Sequence, residues 1–222
     1  MGREDFSVDL AGHTLEYIDD VHIYLVDGIQ VPSVTQVVGA MFEDKYKDIP
    51  ADVLKRAADA GTELHKSIED FVNEGIESDN REFKHFKFLM NQFSFAPLRS
   101  EIPVIVFFGG NPYCAGRFDL LIQGEYGQGV GIADIKRTSV LDKKYLYYQL
   151  NMYAEGYKQC YGGEISFLKG IHIREDIRHY VSIPMDSRAT FDAIRAYETK
   201  KIKNKQTRLK NRQETKKELE EV

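Results

Sequence analysis

The sequence predicts an α/β (α+β) chain: a mixed central β-sheet flanked by helices, with its core in the order αβββαβ. Three observations carry that expectation. Two short apolar runs, Gly116-Arg117-Phe118-Asp119-Leu120-Leu121-Ile122 and Gly131-Ile132-Ala133-Asp134-Ile135-Lys136, flank a Gly-rich turn over 124–129 and read as a hairpin. Upstream, apolar residues recur at helical spacing from Val53 to Phe71. Downstream, a capped helical segment is followed by two more strand-like runs, so helices and strands alternate around the hairpin.

Taken in order, the first forty residues predict a small β-unit. Residues 15–18 and 22–26 flank an Asp19-Asp20 turn, Asp27-Gly28 makes a second turn, and Val31-Pro32-Ser33-Val34-Thr35 leads into a short helix through Val38. A helix over 50–73 starts at Pro50 and carries a stripe of Val53, Leu54, Ala57, Leu64, Ile68 and Phe71. Gly61 is expected to break it locally, for close approach to the sheet or a ligand. A second helix over 81–96 is rich in Phe83, Phe86, Phe88 and Phe93, for which core packing is the default. Strands over 102–108, 113–122 and 130–137 form the sheet. The helix over 144–161 is capped by Ser139 or Asp142 and closed by Gly162-Gly163. Its five tyrosines (145, 147, 148, 153, 157) exceed what a core helix needs, so several are expected to face outward. Strands over 165–173 and 179–183 follow, and Asp186 opens a long C-terminal helix. The division is a β-unit at 1–48, a core at 49–185 and a basic helix or tail at 186–222.

Asp119 and Asp134 carry the chemistry. Opposed residues of a hairpin share a face roughly 5 Å apart, and the i, i+2 spacing of Asp134-Ile135-Lys136 puts the lysine on the same face. Two carboxylates and an ammonium amid apolar strands are costly to bury without a purpose, and a divalent cation supplies one. The pattern is that of a metal-dependent hydrolase.

The Asp…Asp-x-Lys arrangement resembles the PD-(D/E)XK nuclease superfamily, whose restriction-endonuclease-like core has this element order. Gly61-Thr62-Glu63-Leu64-His65 is similar to the Gly-x-x-x-His motif of its RecB-like branch, and Gln149-Leu150-Asn151-Met152-Tyr153 to that branch's Gln-x-x-x-Tyr motif. Glu101 stands where many of these enzymes carry a further acid, and the 32–35 segment resembles an N-terminal stretch of phage-type exonucleases. The motifs run in family order from Gly61 to Tyr153. One departure is Phe118, where the family pattern has Pro before the first acid.

The resemblance implies Mg²⁺ or Mn²⁺ held by His65, Asp119, Asp134 and the backbone carbonyl of Ile135, the imidazole favouring Mn²⁺. Lys136 would orient the attacking water, stabilise developing charge, or accept a proton if its pKa is depressed. Glu101 would bind a second ion through water or hold Lys136, a supporting role. Gln149 and Tyr153 share a helix face and either brace the strand below or serve DNA, Gln149 bonding the scissile phosphate or Lys136 and Tyr153 shaping the groove. Arg137, Thr138 and Ser139 are phosphate contacts or ordinary loop polarity. The aromatics of 81–96 include candidates for a wedge on DNA ends.

The implied activity is that of a metal-dependent DNA nuclease, an exonuclease in phage-type recombination or DNA end processing. The alternatives are a structure-specific or nonspecific endonuclease, a non-catalytic DNA-binding recombination partner, or an RNA nuclease. Expected partners are DNA, a recombination or single-strand-binding protein, and further copies of the chain in a homo-oligomer. The expected location is the cytoplasm of a bacterial or phage-infected cell.

The 222 residues suffice for one sizeable core with a tail. No apolar run reaches about 18 residues, and no apolar segment of signal-peptide type follows the N-terminus. Two cysteines provide neither a disulfide framework nor an iron–sulfur cluster, and there is no Walker A loop, so the expectation is a stand-alone nuclease. The net charge of −5 hides an uneven distribution. Acids gather in 16–27, 43–59 and 218–221, whereas 200–217 holds nine Lys/Arg and one Glu. That basic segment is a solvated helix, a DNA-backbone contact or an oligomer contact. Gly127-Gln128-Gly129-Val130-Gly131 enters a strand rather than a helix, which excludes a dinucleotide loop. Glu63 and His65 do not form a zinc-protease motif, Ser139 lacks recognisable triad partners, and His172 and His179 read as structural.

Overall fold

The computed structural model describes residues 5–42, 49–124 and 127–220, the side chains of 209–220 excepted. Glu125 and Tyr126 of the expected hairpin turn, 43–48 of one acidic cluster, and Glu221 lie outside the described residues.

Four antiparallel strands open the chain: β1 (Phe6–Leu10), β2 (His13–Ile18), β3 (Ile23–Val26) and β4 (Ile29–Val31). Asp27 and Gly28 both take positive φ, 51° and 75°, which is what a two-residue β-hairpin turn requires. Ser33 then caps α1 (Val34–Gly39) reciprocally with Gln36, satisfying two N–H groups that the first turn leaves open.

The central sheet has five strands in the order β5-β6-β7-β8-β9. These are β5 (Ala96–Phe108), β6 (Asn111–Gln123), β7 (Val130–Lys136), β8 (Phe167–Arg174) and β9 (Ile177–Ile183). Only β7 and β8 run parallel, joined by α4 (Lys143–Tyr161), so the sheet is mixed and helices flank it. On one face lie α2 (Ala51–Glu74) and α3 (Arg81–Gln92), whose Leu64, Ile68, Phe83 and Phe86 pack against Ile122 and Ile171. On the other, Leu150 of α4, Val34 of α1 and Ala193 of α5 (Ala189–Glu220) join Val104 and Leu168. The N-terminal sheet rests on the β5–β6 end through Leu15 and Tyr24 against Ile105 and Ala115.

Three features differ from the sequence expectation. Helix α2 passes through Gly61 unbroken, and a Cβ placed there would meet nothing within 4 Å, so Gly61 does not serve a close approach to the sheet. The apolar stripe of α2 is buried only from Leu64 onward; Val53 is 43% exposed, because the first half of the helix projects beyond the sheet. Leu64 and Ile68 nevertheless anchor the helix, each burial stabilising by about 1.5–3 kcal/mol. The α4 tyrosines do not face outward freely. Tyr153 is buried, and Tyr145, Tyr147, Tyr148 and Tyr157 are partly buried against the core.

Glycine sets how closely α4 approaches. A Cβ on Gly116 of β6 would lie 2.9 Å from a ring carbon of Tyr153, and one on Gly156 of α4 would lie 3.1 Å from Val104. That approach holds α4 directly above the carboxylates of the hairpin.

Candidate metal centre

The β6–β7 ladder pairs Leu120 with Ala133, which sets Asp119 opposite Asp134 one step further along. On the other side, β5 pairs Ser100 with Leu120 and Ile102 with Phe118, bracketing Glu101 opposite Asp119. Glu101 takes φ 50°, an uncommon backbone conformation for a non-glycine residue, which marks a local kink in β5 at the carboxylate. His65 arrives from α2, one residue past the buried anchor Leu64.

Three of these side chains converge. Nδ1 of His65 is 3.6 Å from Oδ1 of Asp119 and 3.9 Å from Oε1 of Glu101, and one donor atom from each lies within 4.8 Å of the others. The opposite ring nitrogen, Nε2, is 3.1 Å from the carbonyl oxygen of Ile135, which can only accept, so Nε2 carries the hydrogen. A neutral His65 therefore aims the Nδ1 lone pair at two carboxylates. Such an arrangement calls for a cation, and one imidazole nitrogen with two carboxylates is a donor set suited to Mn²⁺ or Mg²⁺. Without a metal a proton answers that need. Burial acts against it, but the Asp119 charge and the Glu101 hydrogen bond prevail and raise the His65 pKa.

Asp134 is held differently from Asp119. It is 1% exposed, and its Oδ2 lies 2.5 Å from Nζ of Lys136. Burial pushes its pKa up to about 6, with Asp119 adding to the rise and Lys136 opposing it. Burial would lower the Lys136 pKa, yet the charges of Asp134 and Asp119 outweigh it and hold the group as an ammonium. Of the expected set His65, Asp119, Asp134 and Ile135, the first two converge with Glu101, while Asp134 lies beside Lys136 and the Ile135 carbonyl beside His65.

Arg117, unassigned from sequence, proves part of the site. Its Nε sits 2.7 Å from Oε2 of Glu101, and its guanidinium lies over the rings of Phe6 and Tyr17. The available signal was its position two residues before Asp119 in one strand. A cleft of about 1180 Å³ opens beside it, walled by Phe6 and Tyr17 on one side and Gly61 and Glu63 on the other, and reaches His65 and Glu101.

The remaining sequence candidates lie close by in other roles. Gln149 is buried one helical turn before Tyr153, and its amide oxygen has no hydrogen-bond partner among the described residues. Tyr153 packs over Gly116 and beside Phe118, a bracing position rather than an exposed groove wall. Arg137 is engaged within the fold: its Nε lies 2.7 Å from Oε2 of Glu82, whose other oxygen accepts the Glu175 N–H. The Thr138 hydroxyl donates to the Val140 carbonyl, and the Thr138 carbonyl is 2.7 Å from Nε2 of the buried His172. Ser139 is exposed. Among the described residues no helix is long and apolar enough to cross a membrane.

No family model matches the chain, and no curated protein sequence matches it. Among solved structures, the crystal structure of SSO0001 is similar at a TM-score of 0.44 and 19% identity, over 78% of this chain and 75% of that one. The functional conclusion rests on the geometry of the site itself.

Proposed function

We propose that the chain is a metal-dependent nuclease of the PD-(D/E)XK type, hydrolysing phosphodiester bonds in DNA and acting from ends in recombination or end processing. The observation that carries this is the convergence of His65, Glu101 and Asp119 beside the Lys136–Asp134 pair. Mg²⁺ or Mn²⁺ held by those three side chains would supply charge relief to a phosphate and acidify water.

The chain's own residues then divide the work. Lys136, kept as an ammonium by Asp134 and Asp119, acts by charge: it orients the nucleophilic water and stabilises the negative charge that builds on phosphate oxygens. The buried amide oxygen of Gln149 is an acceptor suited to a water or the Lys136 ammonium, and its NH2 group is a donor suited to a phosphate oxygen. Arg117 fixes the Glu101 carboxylate from behind, leaving its other oxygen toward His65.

The test is digestion of linear and covalently closed DNA with Mg²⁺, Mn²⁺ or EDTA, by wild type and Lys136→Ala. Loss of linear DNA alone, abolished by EDTA and reduced about 10²–10³-fold by Lys136→Ala, is the expected result. Cutting of closed circles would make the enzyme an endonuclease. Absence of metal-dependent cleavage would overturn the enzymatic proposal.

A further inference from the structure

Helix α5 leaves the body of the protein. Its first turns pack through Ala189, Ala193 and Ile194, but residues 199–208 are exposed without interruption. The helical backbone continues to Glu220. Its apolar residues form no continuous face, so neither a coiled-coil seam nor a membrane-lying helix is indicated.

Charge is what this arm carries. Residues 200–217 hold nine Lys/Arg against one Glu, so with −5 overall the rest of the chain carries a net −13. The cleft wall leading to His65 is itself acidic: Asp5, Asp19, Asp59, Glu63, Glu69 and Asp70 outnumber Lys66 and Arg117. A polyanion meeting such a body is repelled, and something on the chain must offset that.

By helical register, positions 201, 205, 208, 212 and 216 recur on one face, at intervals of four, three, four and four. Lys201 is already engaged, 3.1 Å from Glu198 and over the Tyr197 ring. Lys205 and Arg208 have no acidic partner among the described residues. By the same register the remaining cations at 200, 203, 210 and 217 fall on the side of the helix that carries Glu214. By helical rise the stripe positions from 205 to 216 span about 16 Å of backbone.

We propose that this stripe binds the phosphate backbone of nucleic acid and supplies the attraction that the acidic body lacks. The proposal rests on the nuclease reading for its choice of polyanion. Its contacts are to phosphates, so binding is independent of base sequence and strongly salt-dependent.

The test measures binding of a fluorescein-labelled 30-base-pair DNA duplex to the full chain in EDTA, across a salt series. Two full-length variants each remove four charges: Lys205/Arg208/Arg212/Lys216→Gln on the stripe, and Lys200/Lys203/Lys210/Lys217→Gln away from it. Circular dichroism checks that both keep the helix. The stripe variant is expected to bind about 100-fold more weakly near 0.1 M salt, its salt slope falling by about 3, with a clearly smaller loss in the other. Equal losses in the two variants, or none in either, would overturn the proposal. So would wild-type protein that ignores the duplex yet binds anionic lipid vesicles. The two claims separate cleanly. Stripe-dependent binding without metal-dependent cleavage in the wild type would sink the nuclease reading alone. Cleavage with unaltered binding by both variants would sink the stripe alone.

Discussion

The backbone N–H of Ile135 donates to Oδ2 of Asp119 across 2.6 Å. That bond commits one carboxylate oxygen to the neighbouring strand and leaves the other, Oδ1, facing His65. The same residue receives His65 Nε2 at its carbonyl, so one residue of β7 fixes both the acid and the imidazole. A side chain held in this way needs little reorganisation to take a metal, which is the structural content of preorganisation.

Arg117 and Glu101 form an ion pair in which both side chains are nearly buried, 13% and 12% exposed. Replacing Arg117 by Met removes the guanidinium partner of the Glu101 carboxylate, and removing one partner of such a pair costs about 3 kcal/mol. The metal-free variant should melt well below wild type. Excess Mn²⁺ should narrow that gap, because a cation beside Glu101 replaces the lost charge. Equal gaps with and without Mn²⁺, in calorimetry, would show that Glu101 does not face the metal.

Arg137 ties the end of β7 to α3 through Glu82. Arg137→Met should lower stability by about 2–4 kcal/mol, since Glu82 is then left buried and unpaired. The salt slope of DNA binding should be unchanged in this variant. A slope smaller by about 1, with stability intact, would return Arg137 to the nucleic-acid interface.

Asp186 opens the C-terminal helix, and its carboxylate is held down to about 2 by the Arg188 N–H, the Tyr147 hydroxyl and the Arg188 side chain. A folded-state pKa below the unfolded value makes the ionised form stabilising. That contribution is present above the ordinary value near 3.8 and is lost as pH falls through about 2. Wild type should therefore melt higher than Asp186→Asn at pH 5, and the difference should close as pH approaches 2. A difference independent of pH would mean the carboxylate charge is not what holds the helix start.

Gly116 lies under the Tyr153 ring, where an added methyl has no room. Gly116→Ala should cost about 1–3 kcal/mol by overpacking, read as a lower urea midpoint with an unchanged slope. A neutral result would mean that α4 shifts easily and does not set the height of the site.

Much of this centre was legible in the sequence because period-two alternation survives in a buried hairpin: Asp119, Asp134 and Lys136 could be placed on one face from spacing alone. The mixed sheet and its flanking helices followed from the same periodicities. What spacing could not show was the kink at Glu101, a matter of one backbone angle, which turns that carboxylate toward His65. Strand β5 also begins earlier than expected, at Ala96 rather than near 102, since an edge strand tolerates Pro97 and Pro103 that would argue against a central one. Strand β1 went unassigned although Phe6, Val8 and Leu10 alternate with Ser7 and Asp9, a pattern the residues did offer. Arg117 was passed over because its partner was not known until β5 and β6 were paired.

The most direct measurement is calorimetric titration of the metal-free protein with Mn²⁺, comparing wild type with Asp119→Asn, Glu101→Gln and Lys136→Ala. The account predicts binding in wild type, weakened more than about 100-fold in Asp119→Asn, weakened also in Glu101→Gln, and retained in Lys136→Ala. Mn²⁺ binding that is absent in wild type, or indifferent to Asp119→Asn, would contradict a metal centre at His65, Glu101 and Asp119.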